Sequence, residues 1–394
     1  MRIPFLDLAQ ATAETRSDLD EAWRRVAGSG RFILGEEVEA FEREWAEHCG
    51  VRHAVGVGNG LDALVLALRA MGIGAGDEVI VPSNTYIATW LAVSSVRAAP
   101  VPVEPDERTF NIDPARIEAA ITPRTRAILP VHLYGHPADM DPLLALAEGH
   151  GLTVIEDAAE AHGAEYKHRK CGGLGHISVF SFYANKLITT GEGGMVLTQS
   201  ARLAERARFL KNLAFQKSRR FLHDELGDNL RLTNLQAALG VGQIGRIEQI
   251  VNRKREIARA YAERLSDLPG VALPAEALWA RNVYWVFGLI LDESTGMNGA
   301  QWGQRLAALG VETRPFFLGM HEQPVFHKMG LFLNQRYPVA ERLSRQGLYL
   351  PTGLGISEAE IDRVSAAVRE SLRRTTLVRN QPNVIDARPE GRAQ

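Results

Sequence analysis

"SFYANKLITTGEGGMV", residues 181–196, carries one lysine, Lys186, in a run whose only other charge is Glu192. A serine and an apolar strand pattern lead up to the lysine, and two threonines and a glycine-rich turn follow it. One reading of such a lysine is ordinary: its stem packs at the sheet edge and its ammonium reaches water. The other is chemical: a desolvated lysine loses basicity and becomes a nucleophile able to form a Schiff base. The surrounding chain must decide between them.

On both sides of this stretch, short β-branched or apolar runs alternate with helical patterns. Strands are expected at 53–58, 77–82, 99–105, 126–133, 152–157, 178–182 and 193–198. Helices are expected at 61–72, 84–96 and 113–121, the last opened by Asp113 as cap and Pro114 in the first helical position. The alternation and the nearly unbroken apolar strands predict an α/β fold, a mostly parallel sheet covered on both faces. Such sheets bind ligands beyond the carboxyl ends of their strands. After residue 231 the pattern changes. It predicts a long helical region over 234–268, a strand at 283–291, a helix at 300–309, a strand near 311–314 and a closing helix at 357–373. The expected organisation is a large α/β domain over 1–240, a small α+β domain over 241–376, and a polar tail over 377–394 that is expected to be mobile.

Four companions bear on the lysine. "VIEDAAEAHG" places Asp157 at the end of an apolar strand, where a carboxylate can face a pyridinium nitrogen or simply cap the next helix. Glu160 follows three residues on, positioned either for a ring hydroxyl or for a capping box. "GVGNGLDAL" is a strand, a small-residue turn and a helix start. There the backbone N–H groups of Gly60, Leu61 and Asp62 suit a phosphate, although a plain tight turn reads the same way. In "SNTYIATW", Tyr86 near a helix start is placed either to stack on a flat ring or to join the core. Ser181 offers a hydroxyl five residues before the lysine. Each signal alone is modest. Their order in the chain is that of a pyridoxal-phosphate (PLP) enzyme with the aspartate-aminotransferase fold: phosphate turn, aromatic, acid at a strand end, serine, lysine.

Composition narrows the alternatives. The 394 residues are 45% apolar and 23% charged with a net charge of −2, which gives no electrostatic footprint for nucleic acid. The two cysteines, Cys49 and Cys171, form no CxxC pair, so no zinc site or disulfide framework is expected. No metal is expected. The opening "MRIPFLDLAQ" lacks a signal-peptide core and no apolar run is long enough to span a bilayer, so a cytoplasmic protein is expected. There is no GxGxxG fingerprint for a nucleotide-sugar dehydrogenase or epimerase.

On these residues the chain resembles the DegT/DnrJ/EryC1/StrS family of sugar aminotransferases. The matching stretches are "VGNGLDALVLAL", "GDEVIVPSNTYIAT", "AITPRTRAILPVHLYG", "VIEDAAEAHGAEY", "SFYANKLITTGEGGMV" and "NLRLTNLQAALG", and the likeness runs from residue 3 to residue 373. The resemblance implies fold type I with a seven-stranded, mostly parallel sheet, PLP (pyridoxamine phosphate as its aminated form), and a homodimer with shared active sites. It implies Lys186 as the lysine that carries PLP and Asp157 as the partner of the pyridine nitrogen. Glu160 is implied beside the ring oxygen, Tyr86 as the stacking aromatic, and Gly60, Leu61, Asp62 and Ser181 at the phosphate, with backbone amide rather than side chain expected to serve at Asp62. Asn229 is implied to reach the phosphate of the neighbouring subunit. Relatives that are dehydratases carry histidine in place of the lysine, so Lys186 favours transamination.

The implied reaction is amine transfer from L-glutamate to a keto group of a dTDP- or GDP-linked keto-deoxyhexose. "IPFLDL", "RFILGEEVEAFE" and "NGLDAL" look like enzymes that aminate C3; "NKLITTGEGGMV", "RPFFLGMHEQPVF" and "LYLPTGLGISEAEIDRV" look like C4 enzymes, perosamine synthases among them. The active-site segments carry more weight and point to C4, with C3 as the alternative. For the substrate, Arg219 and Arg220 are candidates for the diphosphate, set against exposed surface arginines, and His321 is a candidate for the sugar pocket, set against a structural histidine.

Overall fold

A computed structural model describes residues 2–7, 16–216, 219 and 221–379. Strands β1 (His53–Val57), β2 (Glu78–Pro82), β3 (Ala99–Val103), β4 (Thr125–Ile128) and β5 (Thr153–Asp157) appear in turn. A short hairpin of β6 (Glu165–Tyr166) and β7 (Arg169–Lys170) precedes β8 (Ile177–Ser181) and β9 (Gly194–Thr198). Seven of these form one sheet in the order β1-β9-β8-β5-β4-β2-β3. The run β8-β5-β4-β2-β3 is parallel, and β9 lies antiparallel between β8 and β1. The seven-stranded, mostly parallel sheet expected above is therefore present.

Both faces of this sheet are buried, which is why its strands read as continuous apolar runs. Val79 and Val81 of β2 enter one core while Ile80 enters the other, and Val179 and Phe180 of β8 divide the same way. A third core, with Trp302, Tyr261 and Leu289, backs a four-stranded sheet. That sheet is built from β10 (Val271–Ala272), β12 (Phe287–Leu291), β13 (Arg314–Pro315) and β14 (Gly347–Leu350), in the order β10-β12-β14-β13; β11 (Ala280–Arg281) pairs instead with β6. No helix among the described residues is long and apolar enough to cross a membrane, and these residues contain no cluster that would hold a metal.

Several elements depart from the sequence reading. Residues 113–121 form two 3-10 turns, Pro114–Arg116 and Glu118–Ala120, not an α-helix, although Asp113 caps the first as expected. Neither turn buries a residue of its own, and only Ile117 between them is buried, so packing does not sustain an α-helix there. The strand expected over 126–133 stops at Ile128; Pro130 has no N–H to donate, and Val131 keeps only an isolated bridge to Asp157. The long helical region is broken at Gly245 and Arg246 into Asn234–Ile244 and Ile247–Leu265. The strand at 283–291 begins only at Phe287, after Tyr284 takes a φ of 47°. The last helix runs from Glu358 to Arg379, so the start of the expected tail is helical and its remainder lies outside the described residues.

Candidate active site

Sheet register brings together segments distant in sequence. Val57 at the end of β1 and Ser181 at the end of β8 both pair with Gly194 of β9, so they flank one residue at the same edge. The helix Gly60–Ala70, which follows β1, therefore starts against Ser181. The approach is so close that a Cβ on Gly60 would lie 2.7 Å from the Ser181 Cβ, and one on Gly194 would lie 2.3 Å from the Asn59 carbonyl oxygen. Only glycine allows that contact. Asn59 caps the helix, its Oδ1 accepting the Asp62 N–H at 2.9 Å.

A cavity of about 410 Å³ opens at this edge. Gly60 and Leu61 line it at one end, with Tyr86, Asp157, Glu160, Ser181 and Lys186 around it. Asp157 closes β5 and is buried. Its Oδ2 accepts the Thr89 hydroxyl at 2.9 Å and its Oδ1 the Ala159 N–H at 3.2 Å, which fixes the carboxyl. Burial raises its pKa, opposed by those two hydrogen bonds and by Lys186. The preceding Glu156 anchors the strand from the other face, accepting from His132 at 2.9 Å and from the N–H groups of Gly172, Leu174 and Gly175. Glu160 accepts the Tyr134 N–H at 2.7 Å, and burial pushes its pKa up to about 7.

The Lys186 Nζ stands 3.8 Å from Glu160 Oε1 and 4.0 Å from the centre of the Trp285 ring. Its side chain is only 10% exposed, and burial lowers its pKa against the pull of Glu160 and Asp157. His162, fully buried, has Nε2 2.9 Å from the Ser181 carbonyl; burial and the nearby lysine hold its pKa down to about 3, so it is neutral and donates that hydrogen bond. Tyr86 is the N-cap residue of the helix Ile87–Ser95 and remains 55% exposed, its ring 5.5 Å from that of Phe317.

Other residues named from the sequence lie elsewhere. The Asp62 N–H is taken by Asn59, so it is not free for a phosphate, and Asp62 does not line the cavity. His321 is buried with Nε2 3.3 Å from Glu341 and its ring against Tyr337; it holds the 320–341 segment together and does not line the cavity. Arg219 is exposed and pairs with Asp224 at 3.1 Å; Arg220 lies outside the described residues. Asn229 is exposed, bridged to Asn212, and outside the cavity of its own chain. Conversely, Thr89, Ala159, Tyr183, Trp285 and Phe317 belong to the site or hold it, yet nothing in the sequence singled them out. Only Asn59 carried a usable signal, the preference of asparagine for the N-cap.

The arrangement offers a helix N-terminus beside a serine for a phosphate, a fixed acid, an aromatic face and a desolvated amine. The helix start at Gly60, packed directly on Ser181, sets N-terminal amides beside that serine at the cavity edge; this suits the phosphate of PLP, and the donor set matches that cofactor's other ends.

The comparisons agree. The model of the DegT/DnrJ/EryC1/StrS aminotransferase family matches residues 13–369. The chain is 45% identical to a GDP-perosamine synthase of Caulobacter vibrioides, over 90% of this chain and 93% of that one. It is also 45% identical to the dTDP-3-amino-3,4,6-trideoxy-alpha-D-glucose transaminase of Streptomyces venezuelae, over 94% and 96%. The crystal structure of S. venezuelae DesV in complex with a ketimine intermediate superposes with a TM-score of 0.89 at 45% identity, covering 94% of this chain and 98% of that one. The chain thus belongs to the DegT/DnrJ/EryC1/StrS aminotransferase family and is a PLP-dependent transaminase.

Proposed function

We propose that the protein transfers an amino group from L-glutamate to C4 of a dTDP- or GDP-linked 4-keto-6-deoxyhexose, acting as a cytoplasmic homodimer whose sites are shared between subunits. The observation that carries the reading is the buried Lys186 amine facing Glu160 in the cavity that Gly60, Asp157 and Ser181 complete. Bound PLP supplies an electron sink for the charge left when the donor's α-proton departs. Lys186 would hold the cofactor, and its amine, whose basicity burial lowers, is placed to take the donor's α-proton and return it. Asp157, held in place by its bonds to Thr89 and Ala159, would keep the ring nitrogen protonated. Glu160 would face the ring oxygen, Ser181 and the amides of Gly60 and Leu61 would hold the phosphate, and Tyr86 would cover the ring. Asn229, exposed and outside its own cavity, suits a role on the partner's phosphate.

The choice of C4 rests on the active-site segments, which look like those of perosamine synthases. A C3 reading is the alternative, kept open by the equal identity to the trideoxyglucose transaminase. Arg219 remains a candidate for the diphosphate. The test is to supply dTDP- and GDP-linked 4-keto-6-deoxyhexoses, and a 3-keto isomer, with glutamate, and to locate the new amine by NMR. Amination at C3 alone would replace the C4 reading, and no amination of any of them would end the sugar proposal.

A further inference from the structure

We propose that Trp285 is a positioning residue for Lys186: its indole face holds the lysine ammonium in the cavity, and its ring N–H ties that face to the loop bearing the lysine. This rests on the transaminase reading above, but it concerns the lysine before any substrate arrives. Trp285 lies in the irregular segment between β11 and β12, about a hundred positions from Lys186 in the chain. The Lys186 Nζ is nonetheless 4.0 Å from the centre of its ring, well inside the roughly 6 Å reach of a cation–π contact. The Trp285 Nε1–H donates at 2.9 Å to the carbonyl of Asn185, the residue before the lysine. The Trp285 carbonyl in turn accepts at 2.8 Å from Lys254 Nζ, which also donates at 2.8 Å to the Thr352 carbonyl. The ring is thus bonded to the lysine loop on one side, and its backbone to the helix Ile247–Leu265 on the other.

The other groups facing Lys186 are the carboxyls of Glu160 and Asp157 and the neutral imidazole of His162. Glu160 titrates near neutrality, so below that range it adds little charge and the ring's share of the stabilisation grows. Trp285 is also a wall. A second cavity of about 300 Å³, lined by Asp7, Arg246 and Lys254 among others, meets the first at Asn185, Lys186 and Trp285. Truncating the indole would join the two cavities and wet the lysine, which shifts basicity in the opposite sense to loss of the cation–π contact. A decisive test must therefore keep the ring's shape.

Trp285 alone is replaced by mono-, di- and trifluorotryptophan in the full-length chain, which weakens the negative face with little change in volume. Each protein is freed of PLP, and the rate of Schiff-base formation with added PLP is followed by absorbance against pH. The midpoint should move to lower pH with each fluorine, by about one unit over the series. A midpoint indifferent to fluorine overturns the proposal. Absence of any Schiff base in the unsubstituted protein would instead overturn the transaminase reading beneath it. Replacing Trp285 by 3-benzothienylalanine separates the second element: it keeps the bicyclic shape and an aromatic face but has no N–H to donate to Asn185. It should lower kcat about fivefold with KM for glutamate unchanged; a kcat equal to that of the parent removes the tethering role.

Discussion

Glu160→Gln tests the electrostatics of the site most directly. The Glu160 carboxyl is buried; one oxygen accepts the Tyr134 N–H at 2.7 Å and the other lies 3.8 Å from Lys186 Nζ. Burial raises its pKa from an ordinary 4.5 to about 7, with Lys186 and the Tyr134 N–H opposing. The folded chain therefore holds a proton on Glu160 that the unfolded chain has lost between those two values, so this group makes stability fall as pH rises from 4.5 to 7. At 1.36 kcal/mol per pKa unit the loss comes to about 3 kcal/mol per chain, complete above pH 7. Glutamine keeps an acceptor for Tyr134 and cannot ionise. The PLP-free variant should lack this decline and exceed the parent by about 3 kcal/mol at pH 8, while matching it near pH 4.5. Urea denaturation from pH 4.5 to 8, at one protein concentration, measures the difference; His162 and the remaining titrating groups are common to both proteins. Parallel profiles for parent and variant would refute the argument that Glu160 is held protonated by burial.

The other predictions concern the cofactor. Gly60→Ala places a methyl 2.7 Å from the Ser181 Cβ, so the overpacking should lower stability by about 1–3 kcal/mol in urea denaturation and, by displacing the helix start from Ser181, weaken PLP binding in an absorbance titration. Borohydride reduction of the PLP-loaded protein should place the label on the peptide containing Lys186; Lys186→Ala should take up no label and lose turnover. Asp157→Ala, which removes a carboxyl fixed by Thr89 and Ala159, should slow turnover by about 100-fold or more, read under saturating PLP so that weaker binding is not mistaken for slower chemistry.

Local sequence made the seven-stranded sheet legible because each strand's apolar run is set by burial on both faces. The same logic placed Asp157 at a strand end, where the side chains that meet ligands project, and Gly60 at a helix start; that β8 ends at Ser181, one residue short of the expected 182, is seen only in the structure. It failed where a competing partner was remote or hidden. A histidine in "GMHEQP" looks like a pocket residue until Glu341, twenty positions on, claims it. The Asp62 amide looks free until the Asn59 side chain takes it. A nine-residue segment with a sound cap folds only as 3-10 turns, because capping does not supply the packing that sustains a helix.

The sequence by itself put forward the candidate side chains: an amine, an acid, a serine and a glycine, singled out together by residue type, by their order along the chain and by the family resemblance. The tertiary structure alone decided how they meet. Val57 and Ser181 become neighbours only because β9 inserts antiparallel between their strands and presents Gly194 to both. Trp285 reaches Lys186 only because a segment from beyond the sheet folds back against the lysine loop, where it lines the cavity. Such contacts are fixed by strand register and by the docking of distant elements, which hydrophobic periodicity within a window of sequence does not encode.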